Sequence, residues 1–115
     1  MQVQFTPNEL EVLTDVLARH NRELTHEIAR TDTRGFKHVL QEKLDVLGRL
    51  QNQLVWGELQ LSTEISDVLA EVLDQSERAL YFEIARTDDR EFKHGLQENL
   101  ERLESAHSKI SRAAA

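Results

Sequence analysis

The sequence predicts an all-α protein: an antiparallel up-down four-helix bundle made from a tandem duplicated αα-hairpin, with a short extended segment before each hairpin. Three observations lead there. The chain repeats itself at a spacing of 56 residues, its apolar residues recur at helical spacing, and one proline with four glycines leaves few breaks in regular structure. "EIARTDTRGFKHVLQEKL" at Glu27–Leu44 returns as "EIARTDDREFKHGLQENL" at Glu83–Leu100, identical at 14 of 18 positions. Outside that window the halves agree at only 8 of 38 positions, among them Val12/Val68, Leu13/Leu69, Val16/Val72 and Leu17/Leu73. Residues 1–115 therefore read as a single domain with internal repeats 1–56 and 57–112, within the usual size of roughly 100–150 residues.

Each repeat opens on an alternating segment, Val3-Gln4-Phe5 and Leu59-Gln60-Leu61, which suggests a strand. The two segments are expected to meet across a pseudo-twofold axis and cover the end opposite the turns, or to remain extended without a ladder. In "FTPNEL", Thr6 suits an N-cap, Pro7 the first helical position and Glu9 the third position of a capping box, with Phe5 and Leu10 placed as a hydrophobic staple. Ser62 and Leu61 keep the cap and one staple residue in the second copy. The first helix carries Leu10, Leu13, Leu17, Leu24 and Ile28; the second carries Phe36, Leu40, Leu44, Leu47 and Leu54. They are not one continuous helix. At 100° per residue, Leu24 and Ile28 sit near ~0–40° and Leu40 and Leu44 near ~160–200°, so the apolar face flips. "RTDTR" and "RTDDR" are the bends, with Asp32 and Asp88 expected as N-caps and Glu91 completing a capping box with Asp88. A loop this short makes the two helices antiparallel neighbours. Gly57, in the linker "VWGELQL", is the expected helix stop.

Five of the fourteen repeated residues, Ile28, Ala29, Phe36, Leu40 and Leu44, are expected in the packing. Nine are polar: Glu27, Arg30, Thr31, Asp32, Arg34, Lys37, His38, Gln41 and Glu42. On the second helix the polar ones fall on one arc beside the apolar stripe. Two readings fit them. In one, Asp32 caps, Thr31 bonds the backbone, and Glu27 pairs with Arg30, Arg34 or Lys37 to set the hairpin angle. In the other, Arg34, Lys37 and His38 form a recognition stripe, displayed again as Arg90, Lys93 and His94. The second copy also replaces Thr25 and His26 by Tyr81 and Phe82. Phe82 falls on the outer face between Ala79 and Ala85, which suggests a contact surface and a homodimer through the third helix.

The string E-I-x-x-T-D-x-x-x-F-K/R-x-x-L ahead of a leucine-rich helix resembles one found in short, uncharacterised bacterial helical-hairpin proteins. The resemblance covers each copy's turn and flanks. It implies the hairpin fold and a bacterial origin, and it carries no activity. Gly35 departs from the acidic residue of the pattern, which Glu91 retains.

Chemistry finds little to stand on. There is no cysteine, no glycine-rich phosphate loop and no recognisable nucleophile–base motif, so no enzyme and no cofactor are expected. A metal-binding bundle is the alternative, using Glu27, Glu83, His38 and His94 near the turns. Glu23-x-x-His26 matches a di-metal motif once, but its counterpart is Ala79 and Phe82. His38/Glu42 and His94/Glu98 have i, i+4 metal-pair spacing, but two ligands per helix make an incomplete site, and a hydrogen bond within each pair is the favoured explanation. His20 and His107 lie at core phase and are expected to be satisfied core polar groups that fix helix register; a partner shared across the interior by His20 and its counterpart Ser76 is the other option. The net charge of −7 opposes nucleic-acid binding, and no apolar run is long enough for a membrane span. The opening "MQVQFTPNEL" does not read as a signal peptide, and the lack of cysteine makes a cytoplasmic home the default expectation. The expected role is a protein-interaction or assembly module, with a protein partner or self-association.

Overall fold

The computed structural model describes residues 2–114 and is an all-α four-helix bundle with one small sheet. The elements run β1 (Gln2–Gln4), α1 (Pro7–Arg30), α2 (Arg34–Leu54), β2 (Glu58–Gln60), α3 (Thr63–Arg86) and α4 (Arg90–Ala114). β1 and β2 pair antiparallel, with Gln2 opposite Gln60, Val3 opposite Leu59 and Gln4 opposite Glu58. Val3 and Leu59 are equivalent positions of the two repeats, so the pseudo-twofold axis passes between them. Both side chains are buried. The paired strands bring the starts of α1 and α3 together, which places the two turns, residues 31–33 and 87–89, at the opposite end.

Local chemistry sets the helix ends. Thr6 Oγ1 accepts from the Glu9 N–H while Glu9 Oε1 accepts from the Thr6 N–H, the reciprocal capping box expected of that spacing. Ser62 Oγ accepts from the Ile65 N–H at the start of α3. Gly57 takes φ +77°, a left-handed conformation costly for residues with a Cβ, and its N–H donates to the Leu54 carbonyl to close α2. The turn caps fall one residue later than expected. Asp89, not Asp88, caps α4: its Oδ1 accepts from the N–H groups of Glu91 and Phe92. Glu91 is then the second helical residue and cannot close a capping box. In the first copy Thr33 holds the N-cap position of α2 and makes no side-chain capping bond.

The contiguous core lies toward the strand end. It is built from Val12, Leu13, Val16 and Leu17 of α1, their counterparts Leu69, Val72 and Leu73 of α3, Leu47, Leu50 and Leu54 of α2, and Leu103, Ala106 and Ile110 of α4, with Val3, Phe5 and Leu59 over the end. Each hairpin is tied internally at one equivalent place by different chemistry. Asn21 donates to Gln51 at 3.1 Å in the first hairpin, and His107 pairs with Glu77 at 2.9 Å in the second. The seams between hairpins are not equivalent. The α1–α4 seam holds Glu9, 4% exposed, whose carboxylate accepts from Lys109 Nζ and Ser105 Oγ, each at 2.7 Å. Burial would raise the Glu9 pKa, but hydrogen bonds from Lys109, the Thr6 N–H and Ser105, with the Lys109 charge, outweigh it and hold the carboxyl at about 2. The α2–α3 seam carries Lys43–Glu71 at 3.0 Å and Arg49–Glu64 at 3.4 Å instead.

His20 is a satisfied polar group as expected, and it shares no partner with Ser76. His20 is half-buried, with Nδ1 on the Val16 carbonyl and Nε2 on the Gln75 side-chain amide, one residue before Ser76.

Candidate functional site

The repeated sentence lies at the turn end of the bundle, away from the core. The contiguous core contains no residue of either window, Glu27–Leu44 or Glu83–Leu100. Leu40 and Leu100 are buried apart from it; Ile28 and Leu44 are half-buried. Ala29 and Phe36, expected in the packing, are exposed, as are Ala85 and Phe92. Phase on the helical wheel suggested burial for Phe36. The facing hairpin covers that phase only near the strands.

The aromatic residues follow the same division. Phe5 alone is buried; Phe36 is 49%, Tyr81 53%, Phe82 62%, Phe92 54% and Trp56 83% exposed. All of those exposed rings except Trp56 lie within about two helical turns of a bend. Phe82 lies on the outer face as expected, with the Arg86 guanidinium 4.4 Å over its ring. Tyr81 donates its hydroxyl to Glu104 Oε2 at 2.8 Å, and that bond pushes the phenol above its ordinary pKa.

Apart from Glu27 and Glu83, most polar residues of the repeat are presented the same way in both copies. Arg34 and Arg90 are exposed, and Lys37 and Lys93 are half-buried. His38 meets Glu42 at 2.9 Å and His94 meets Glu98 at 2.8 Å, one helical turn apart and well exposed. Thr31 and Thr87 each donate to the carbonyl four residues back at 2.6 Å. Glu27 makes none of the ion pairs expected of it, whereas Glu83 pairs with Arg86 at 3.2 Å. The turn-fixing network is thus reduced to the threonine bonds common to both copies and, in the second, the Glu83–Arg86 pair and the Asp89 cap.

Among the described residues, no three His, Asp or Glu side chains are grouped so as to hold a metal ion. Glu27, Glu83, His38 and His94 are therefore not brought together as a ligand set. Among those residues, also, no helix is long and apolar enough to cross a membrane.

A cleft of about 230 Å³ opens between the first hairpin and α3, floored by Leu24, Leu40, Leu47, Val68 and Val72, with Phe36 and Val39 at its wall. Three of the four positions where the windows differ, Gly35/Glu91, Val39/Gly95 and Lys43/Asn99, follow one stripe at i, i+4, i+8. Val39 and Lys43 face this cleft. Two of the differing positions, Val39 and Lys43, thus face the other hairpin, beside Phe36 and Leu40, which both copies keep.

Sequence reasoning placed Phe82 on the outer face and found the bends to within a residue. It missed Phe36 and Phe92 as surface residues, because helical phase alone cannot reveal where a partner helix stops. It also missed the depth of Glu9, whose only signal was a capping spacing. In comparisons with protein-family models, curated sequences and solved structures, the chain matches none.

Proposed function

We propose that this chain is a non-enzymatic protein-interaction or assembly module whose working surface is the turn end of the bundle. One observation carries the reading: the segment kept nearly identical in both halves lies outside the contiguous core and is largely exposed. Within one chain, surface positions under no constraint are free to drift apart, while a core tolerates only swaps that preserve packing. Here the core keeps Val12/Val68, Leu13/Leu69, Val16/Val72, Leu17/Leu73 and Leu47/Leu103 but has exchanged Phe5 for Leu61, Glu9 for Ile65 and Leu50 for Ala106, whereas the exposed window, where drift is freest, has held 14 of 18 positions. The exposed rings of Phe36, Tyr81, Phe82 and Phe92 give that surface the residue types that dominate protein contacts. Arg34, Lys37, His38 and their copies Arg90, Lys93 and His94 supply a polar rim displayed twice.

The competing account of the repeat is structural, and stability separates the two. In a variant with Arg34, Lys37, Arg90 and Lys93 all changed to alanine, the interaction reading expects Tm to stay within about 10 °C of the parent, because substitutions near the surface typically cost under ~0.5 kcal/mol each, or at most about 2 kcal/mol over the four. A loss well beyond that range would mean the repeated residues hold the hairpins in shape, and the reading would fall.

A further inference from the structure

We propose that the turn end of this chain docks onto the turn end of a second copy, with the first hairpin of one molecule against the second hairpin of the other, about a twofold axis. The proposal rests on the turn end being an interaction surface and names what covers it.

The first argument is continuity. The apolar stripes that join the hairpins near the strands run on toward the turns through Leu24, Ile28 and Phe36, and through Leu80, Ile84 and Phe92. Leu24 and Leu80 still pack against the core, whereas Phe36 and Phe92 are about half exposed. A face that continues a hairpin–hairpin interface has the shape and spacing to receive another hairpin, and a second copy of the chain supplies one.

Charge selects which hairpin. The window Glu27–Leu44 carries four basic and three acidic side chains, net +1; Glu83–Leu100 carries three and five, net −2. Pairing second window with second window would gather −4 at one contact, while crossed pairing leaves −1 at each of two. Like-charge juxtaposition of that kind disfavours the uncrossed arrangement.

Size points the same way. Val39 is 46% exposed, and at the equivalent place Gly95 has no atom within 4 Å of where a Cβ would stand. In the crossed pairing the Val39 side chain of each molecule is received on the bare helix surface at Gly95 of the other. The two contacts are identical by symmetry and use both hairpins of both molecules. The assembly therefore closes at a dimer and does not grow into a fibre.

The test is mass in solution by sedimentation equilibrium over a concentration series, with helicity checked by circular dichroism. The parent is expected to reach twice its 13.3 kDa chain mass. Phe36→Asp and Phe92→Asp are each expected to weaken the dimer at least about tenfold, and Trp56→Lys, at the opposite end, to leave it unchanged. Val39→Asp repeats the measurement should either phenylalanine variant lose helix. Arg34→Glu and Glu91→Arg should each weaken the dimer and together restore it. A parent that stays at 13.3 kDa into the millimolar range overturns the second copy as occupant while leaving the turn end as a surface for another protein. A dimer indifferent to the turn-end variants overturns its location. A double charge variant no better than the singles overturns the crossed pairing.

Discussion

Replacing Glu9 by glutamine tests how the fold uses a deeply buried carboxylate. In the unfolded chain this group titrates at its ordinary value of 4.5; in the fold it is held at about 2. A depressed carboxyl pKa contributes stability that is fully present above the unfolded value and is lost as pH falls from 4.5 through 2. The gap corresponds to about 3 kcal/mol at neutral pH, at about 1.36 kcal/mol per pKa unit, of which about 1 kcal/mol remains at pH 3. The glutamine amide keeps an oxygen for the Thr6 N–H and a group for Ser105, so the substitution removes mainly the charge facing Lys109 at 2.7 Å. Urea denaturation of parent and Glu9→Gln at pH 7 and pH 3 should show a gap of about 3 kcal/mol that shrinks to about 1 kcal/mol. By melting, the neutral-pH loss should be roughly 10–20 °C for a domain of this size. A gap below ~1 kcal/mol at pH 7, or one of equal size at both pH values, would refute the argument that Lys109 and the capping bonds overcome the burial of this carboxylate.

Other substitutions read the remaining elements. Asp89→Ala should cost about 1 kcal/mol in urea denaturation by uncapping α4, and Thr33→Asp should gain up to about as much by giving α2 the cap it lacks. Leu73→Ala, at a fully buried site, should cost about 2–5 kcal/mol; Phe92→Ala, at a half-exposed one, should lower stability by clearly less despite removing a larger side chain. Gly57→Ala should lower Tm measurably, because φ +77° is strained for alanine, at a cost of about 1 kcal/mol. Elemental analysis of protein purified without a chelator or a histidine tag is expected to find no stoichiometric transition metal, since His38 and His94 are taken up by Glu42 and Glu98; one metal per chain would restore the metal-binding alternative.

Much of the fold was legible because it depends on local or periodic chemistry. The phase reversal between Leu24 and Leu40 requires a bend whatever surrounds it. The repeat makes the second hairpin a copy of the first, and Thr6–Glu9 and Gly57 mark ends through their own backbone needs. The turn caps were misplaced by one residue because Asp88 and Asp89 are both good caps, and only backbone geometry decides which carboxylate reaches the free N–H groups. Phe82 was legible as an outer-face ring from its wheel position between alanines. Phe36 was not, since its phase matches that of the core leucines.

The sequence by itself therefore determined the four helices, their pairing into two hairpins and the existence of a twice-repeated polar segment, because periodicity and capping act over a few residues. Tertiary structure alone decided how far along the helices one hairpin covers the other. That distance is set by packing between residues dozens of positions apart: the Val3–Leu59 strand pair, the Glu9–Lys109–Ser105 seam and the Leu/Val core gather the hairpins at one end. At the other end the same apolar phase is uncovered, and there the repeated sentence becomes a surface.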